Sequence, residues 1–177
     1  SGAIEGEGDK ICFLSRDMNI YCHNYNQGES YPISQPIFNN KVIGGYDFIN
    51  DDSIVENEEG DPYGQHNHGT TTLSTIGGFM EGELVGVAFL SKFLLAKTED
   101  TGSETPIEED YWVEGIEWLE FNGADVVNSS LGYSDWYSYE DMDGTKCVTT
   151  IAADIAVNKG VIVANSMGNR GNWEGSI

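Results

Sequence analysis

Positive charge is scarce in this chain. Eight Lys and Arg stand against thirty Asp and Glu, a formal net charge of -22 over 177 residues. A nucleic acid or an anionic membrane surface needs a basic patch, so neither is an expected partner. Long apolar runs are missing too. No stretch reaches the roughly 18 apolar residues of a spanning helix, so no membrane span is expected. The opening SGAIEGEGDK lacks the basic-then-apolar order of a secretory signal, so any such signal has been removed or was never included. Only three cysteines occur, Cys12, Cys22 and Cys147. An odd number cannot pair fully within one chain. Cys12 sits in an apolar run and reads as a small packed hydrophobe; a Cys12–Cys22 bridge stays open, with nothing in the pattern to support it. No His or Cys cluster has zinc-like spacing, and the two imidazoles of HNH, His66 and His68, stand too close in sequence for a convincing metal site.

What is present is enough for a core. Hydrophobic residues make up 39% and aromatics 11%, so the chain reads as one folded domain across residues 1–177. The acids concentrate in NDDSIVENEEGD and ETPIEED. A solvated acidic surface is the plain reading. The first run also mixes Asp, Asn, Glu and Gly, which are ligand types for a hard cation, though without the order of an EF-hand loop. Calcium is a candidate cofactor on that ground alone.

Along the chain, KICFL (Lys10 to Leu14) reads as a short buried strand. The polar, aromatic stretch from Arg16 to Asn40 reads as a long loop. KVIGGYDFI is a second strand with a Gly-Gly break, and an acidic loop follows to Gln65. GTTTLSTIGG after His68 suits a helix held by packing, since Thr and Gly form helices poorly. KFLLAKT is an apolar strand. ETPIEEDYWVEGIEWLEFNGA is the clearest helix. Thr105 is placed to cap it, Pro106 to open it, acids to fill its first turn, and Gly123 to end it. Tyr111 or Trp112, with Ile116 and Leu119, falls at helical spacing. ADVVNSSLG is a strand running into a Ser/Gly loop, CVTTIAADIAVNKG an amphipathic helix ended by Gly160, and VIVANSMGN a buried strand. Alternating apolar strands and helices predict a three-layer α/β fold, a mostly parallel sheet with helices on both faces.

In such a sheet, function gathers at the carboxyl ends of the strands. The NSSLG and SMGNRG loops fall there, and His68 opens a helix beside them. HGTTTLSTIGG, GVAFLSKFLLAKT, GADVVNSSLG and GVIVANSMGNRG, in this order, resemble the blocks of the subtilisin-like serine proteases, closest to the bacterial secreted branch. The resemblance runs from Lys41 to the end, and YDFIN, SETPIEEDYW and DMDGT are family-typical as well. It implies an extracellular serine endopeptidase acting on peptide or protein substrates. His68 would be the general base and Asn169 the side-chain donor to the oxyanion. Ser129, Ser130, Leu131 and Gly132 would line the channel and pair with an extended peptide. The chemistry needs these groups. A serine hydroxyl attacks only when a base takes its proton, imidazole titrates near working pH, and a fixed amide stabilises the charge that develops on the carbonyl oxygen. None of this requires a cofactor.

Two parts of the family pattern are not matched. The triad acid normally ends the first strand, which here reads KICFLSRDMN. Alignment of the apolar residues puts Ser15 at that position, and a two-residue shift puts Asp17 there. The acid is therefore Asp17 or is lost, and loss would leave the His68 tautomer unfixed, a defect that costs about 10⁴ in turnover in serine proteases. The nucleophile belongs to a Gly-Thr-Ser turn well after the oxyanion Asn, and no such motif occurs before Ile177. Ser74, Ser129, Ser130 and Ser166 lack that context. The chain thus resembles the N-terminal portion of the catalytic domain. The serine is expected from the remaining C-terminal part, and the sheet should show an open edge where further strands belong. The alternative is a pseudoprotease or assembly component that binds peptides without cutting them.

Overall fold

A computed structural model describes residues 10–15, 21–24, 29–32, 41–61, 68–80 and 82–169. Asp17 and His66 lie outside the described residues, as do the side chains of Cys12 and Cys22. Among the described residues, nine strands and three α-helices follow in the order β1 (Lys10–Ser15), β2 (Tyr21–Asn24), β3 (Glu29–Pro32), β4 (Val42–Asp47), α1 (His68–Gly77), β5 (Phe79–Met80), β6 (Leu84–Val85), β7 (Lys92–Lys97), α2 (Ile107–Phe121), β8 (Val126–Ser129), α3 (Val148–Asn158) and β9 (Ile162–Asn165). Five of these strands form one sheet in the order β4-β7-β1-β8-β9, and every neighbouring pair is parallel.

Strand β7 shows why helices cover both faces. Its side chains alternate across the sheet. Phe93 and Leu95 join Val42 and Val55 on one side, with Leu73 and Ile76 of α1 packed against them. Leu94 and Ala96 enter a larger core on the other side with Trp112, Ile116 and Leu119 of α2 and Ala156 of α3. A strand buried on both faces is a continuous apolar run, as KFLLAK is. Close approach of α1 depends on a missing side chain. A Cβ on Gly77 would lie 2.4 Å from Phe93 Cζ.

Several expectations shift in detail. The stretch read as a long loop contains the antiparallel pair β2–β3; its short polar strands carry no apolar alternation to announce them. The glycines of β4 do not break it: the strand continues through Gly44 and Gly45 with a register shift between Val42 and Gly44. Helix α2 begins at Ile107, one residue later than expected, with Pro106 at the N-cap and no side-chain cap from Thr105. Trp112, not Tyr111, is the buried aromatic of its first turns. Strand β9 is not buried. It is the edge of the sheet, with Ile162 64% exposed. Gly123 and Gly160 both take positive φ just past their helices, as helix-ending glycines do.

Candidate active site

All five strands of the sheet run the same way, so their carboxyl ends share one rim: Ser15, Asp47, Lys97, Ser129 and Asn165. The last turn of α1 lies at the opposite end. Gly77 touches Phe93 at the start of β7, and its carbonyl accepts a hydrogen bond from Lys41, just before β4. His68 is the first residue of α1, about 15 Å of helix away from Gly77, and is exposed. Asn169, also exposed, stands four residues past the end of β9, after Gly168 at φ 75°. In the chain, these two candidates flank the segment that follows β8.

Between them runs the segment after β8. Ser129 is buried and its Oγ accepts a hydrogen bond from Trp112 Nε1 at 3.1 Å. Leu131 is buried in the larger core. The side chains of these two residues therefore point away from solvent. Ser130 is half-buried and accepts from Asn128 Nδ2, whereas Gly132 is exposed, with nothing within 4 Å of where a Cβ would be. The loop after β9 braces the segment. Ser166 N donates to the Ser129 carbonyl at 2.9 Å, and Ser166 Oγ to the Leu131 carbonyl at 3.4 Å. Ser74 Oγ is turned back onto the Thr71 carbonyl within α1. At the carboxyl end of β1, the last strand residue is Ser15.

Sequence reasoning missed the buried charges of the rim. Lys97 is fully buried and pairs with buried Asp47 at 2.7 Å and with Asp61 at 3.1 Å. Burial pulls the Lys97 ammonium down, but the hydrogen bonds and charges of Asp47 and Asp61 outweigh it and hold it above its ordinary value. Asp47, Asp52 and Glu58 each bring a carboxylate oxygen within 4.8 Å of the others. The amides of Ile49 and Asn50 donate to Asp47 Oδ1, and Asn50 Nδ2 donates to Asp47 Oδ2 and Glu58 Oε2. Calcium wants six to eight free oxygen ligands. Here N–H donors and the Lys97 ammonium already meet Asp47, one of the three.

The first turn of α2 holds two more buried acids, Glu108 and Glu109. Burial, with Glu99 and Glu104 nearby, raises the Glu108 carboxyl to about 7 despite a hydrogen bond from Ser103 Oγ to its Oε1. Its Oε2 has no hydrogen-bond partner. Lone acids in a helix's first turn usually signal only the dipole, so nothing in the sequence marked these two as buried.

The chain matches the subtilase family over residues 15–176. It is 33% identical over 129 residues to the minor extracellular protease Vpr of Bacillus subtilis, covering 72% of this chain and 15% of that protein. It is 32% identical over 137 residues to subtilisin DY of Bacillus licheniformis, covering 75% of this chain and 42% of that one. Its fold is similar to the crystal structure of MycP1 with the N-terminal propeptide removed, at a TM-score of 0.59 and 20% identity, over 93% of this chain and 44% of that one. The chain spans less than half the length of each of these relatives.

Proposed function

The chain belongs to the subtilase family, and on that premise we propose that it is the base- and oxyanion-bearing part of a serine endopeptidase. The match to the subtilase family over residues 15–176 supports this reading, with His68 opening α1 and Asn169 four residues past β9, on either side of the Ser129–Gly132 segment in the chain. In the reaction, His68 takes the proton of a serine hydroxyl as the oxygen attacks a peptide carbonyl, then returns it to the leaving amine. The Asn169 carboxamide donates to the oxyanion. An extended substrate lies along the exposed side of Ser130 and Gly132, paired through backbone groups. Asp17 is the proposed acid that fixes the His68 tautomer.

The serine comes from the C-terminal remainder of the catalytic domain. The edge position of β9 favours this, as do the exposed apolar residues Ile155, Val157, Ile162 and Met167 around it. An unpaired parallel edge flanked by apolar side chains calls for cover. Secretion is part of the proposal, resting on the extracellular relative. Among the described residues no helix is long and apolar enough to cross a membrane. The reaction calls for no cofactor.

A fluorophosphonate probe on the full-length protein tests the reading. Labelling of a serine in the remainder, abolished by His68→Ala, supports it. Asn169→Ala should lower turnover by about 10²–10³, the loss that removal of the corresponding donor causes in a subtilisin. The second reading, a peptide-binding pseudoprotease, is favoured by Ser15 at the carboxyl end of β1. Absence of label with peptide binding retained would establish it.

A further inference from the structure

Glu109 and Trp112 stand three residues apart on α2 and so share one face of the helix. Trp112 holds Ser129 at the start of the groove segment. Glu109 holds its far side. Oε2 of Glu109 accepts hydrogen bonds from Trp136 Nε1 at 2.5 Å and Tyr137 OH at 3.2 Å, and Oε1 lies 3.9 Å from Cys147 Sγ, just before α3. Glu109 as a whole is only 3% exposed. A buried carboxylate costs several kcal/mol unless donors meet its lone pairs, and an acid at this helix position serves the dipole equally well from solvent, as exposed Asp110 does. The burial is therefore directed at the loop. Its hydrogen-bonding partners come from residues 27 and 28 positions on, in the chain that leaves Gly132.

We propose that Glu109 is a positioning residue for the peptide groove: with Trp112 it clamps both ends of the chain from Ser129 to Tyr137 onto one helix face. The exposed edge at Ser130 and Gly132 is then presented at a fixed height to an extended substrate. Buried Leu131 and Tyr133 seat the segment between the clamps, and Ser166 braces it from the β9 side. The identity of the occupant rests on the endopeptidase reading; the clamp itself does not.

The test uses the full-length protein with Glu109→Gln, Trp136→Phe and the double variant. Each is assayed on a tetrapeptide p-nitroanilide that the wild type cleaves. Loss of a charged anchor remote from the reacting atoms should raise KM about tenfold in Glu109→Gln while kcat changes less than about twofold. Trp136→Phe removes one donor and leaves the carboxylate, so it should raise KM less, and the double variant should be no worse than Glu109→Gln alone. Amide hydrogen exchange of residues 130–137 should accelerate in Glu109→Gln whether or not the protein cleaves peptides. Faster exchange there in a protein no probe labels would uphold the clamp and sink the endopeptidase reading. Unchanged exchange in that segment, or additive KM effects of the two substitutions, would overturn the clamp.

Discussion

Glu108 makes stability fall as pH rises, and the sign follows from its surroundings. Its carboxyl titrates at about 7 in the fold against an ordinary 4.5, raised first by burial and then by Glu99 and Glu104. The folded state therefore binds a proton that the unfolded chain has already released between those pH values. Stability from this group is complete below about pH 4.5, declines through the interval, and is lost above about pH 7. The gap corresponds to at most about 3 kcal/mol, and because Ile107 and Asp110 beside it are exposed, solvent screening reduces this to about 1–3 kcal/mol. Glu108→Gln keeps the shape and the acceptor for Ser103 Oγ and removes the titration. Thermal melts of both proteins from pH 5 to 8 isolate the effect, because the other carboxylates of this acidic chain titrate alike in each. The variant should gain about 3–8 °C on the wild type between pH 5 and pH 8. Parallel profiles would refute the account, whatever constant offset the new amide introduces.

Lys97→Met should destabilise the fold by about 3–5 kcal/mol, since it strands buried Asp47 without its cation; adding Asp47→Asn should recover much of this in denaturant titration. Chelation with EDTA should move the melting temperature by less than about 1 °C, because no linked ion is expected at Asp47, Asp52 and Glu58. A fall of several degrees would show that an ion does sit there. Gly77→Ala should cost about 1–3 kcal/mol by driving a methyl into the Phe93 ring, and an unchanged melting curve would show that α1 has room to shift.

The strands and helices that carry the rim were legible because their patterns are strong. KFLLAK has no polar alternation, so it had to be covered twice. The helix from Ile107 repeats Trp112, Ile116 and Leu119 at the right spacing, and Gly123 and Gly160 mark helix ends. His68 and Asn169 stand out in the sequence through their flanking glycines and small residues. The β2–β3 pair was not legible, because four-residue polar strands carry no periodicity. Exposure of β9 was not legible either. IVAN reads as core whether it lies in the middle of a sheet or at an edge, and only the strand order separates the two. Buried Lys97 and its carboxylates escaped notice because an ion pair between residues 47 and 97 leaves no local trace.

The acidic turn Glu108-Glu109-Asp110 shows how one short run serves three ends. Successive residues of a helix point about 100° apart. Glu108 reaches the loop after β7 through Ser103, Glu109 reaches the loop after β8 through Trp136 and Tyr137, and Asp110 faces water. Strands β7 and β8 are the two neighbours of β1. The first turn of α2 is therefore tied to the loops on both flanks of the central strand. The two ties involve different loops and different carboxyls, so their effects should separate. Titrating Glu108 should change stability without moving KM, and neutralising Glu109 should move KM at every pH. A variant that reversed this pairing would show that the turn acts as one cluster, not as two independent anchors.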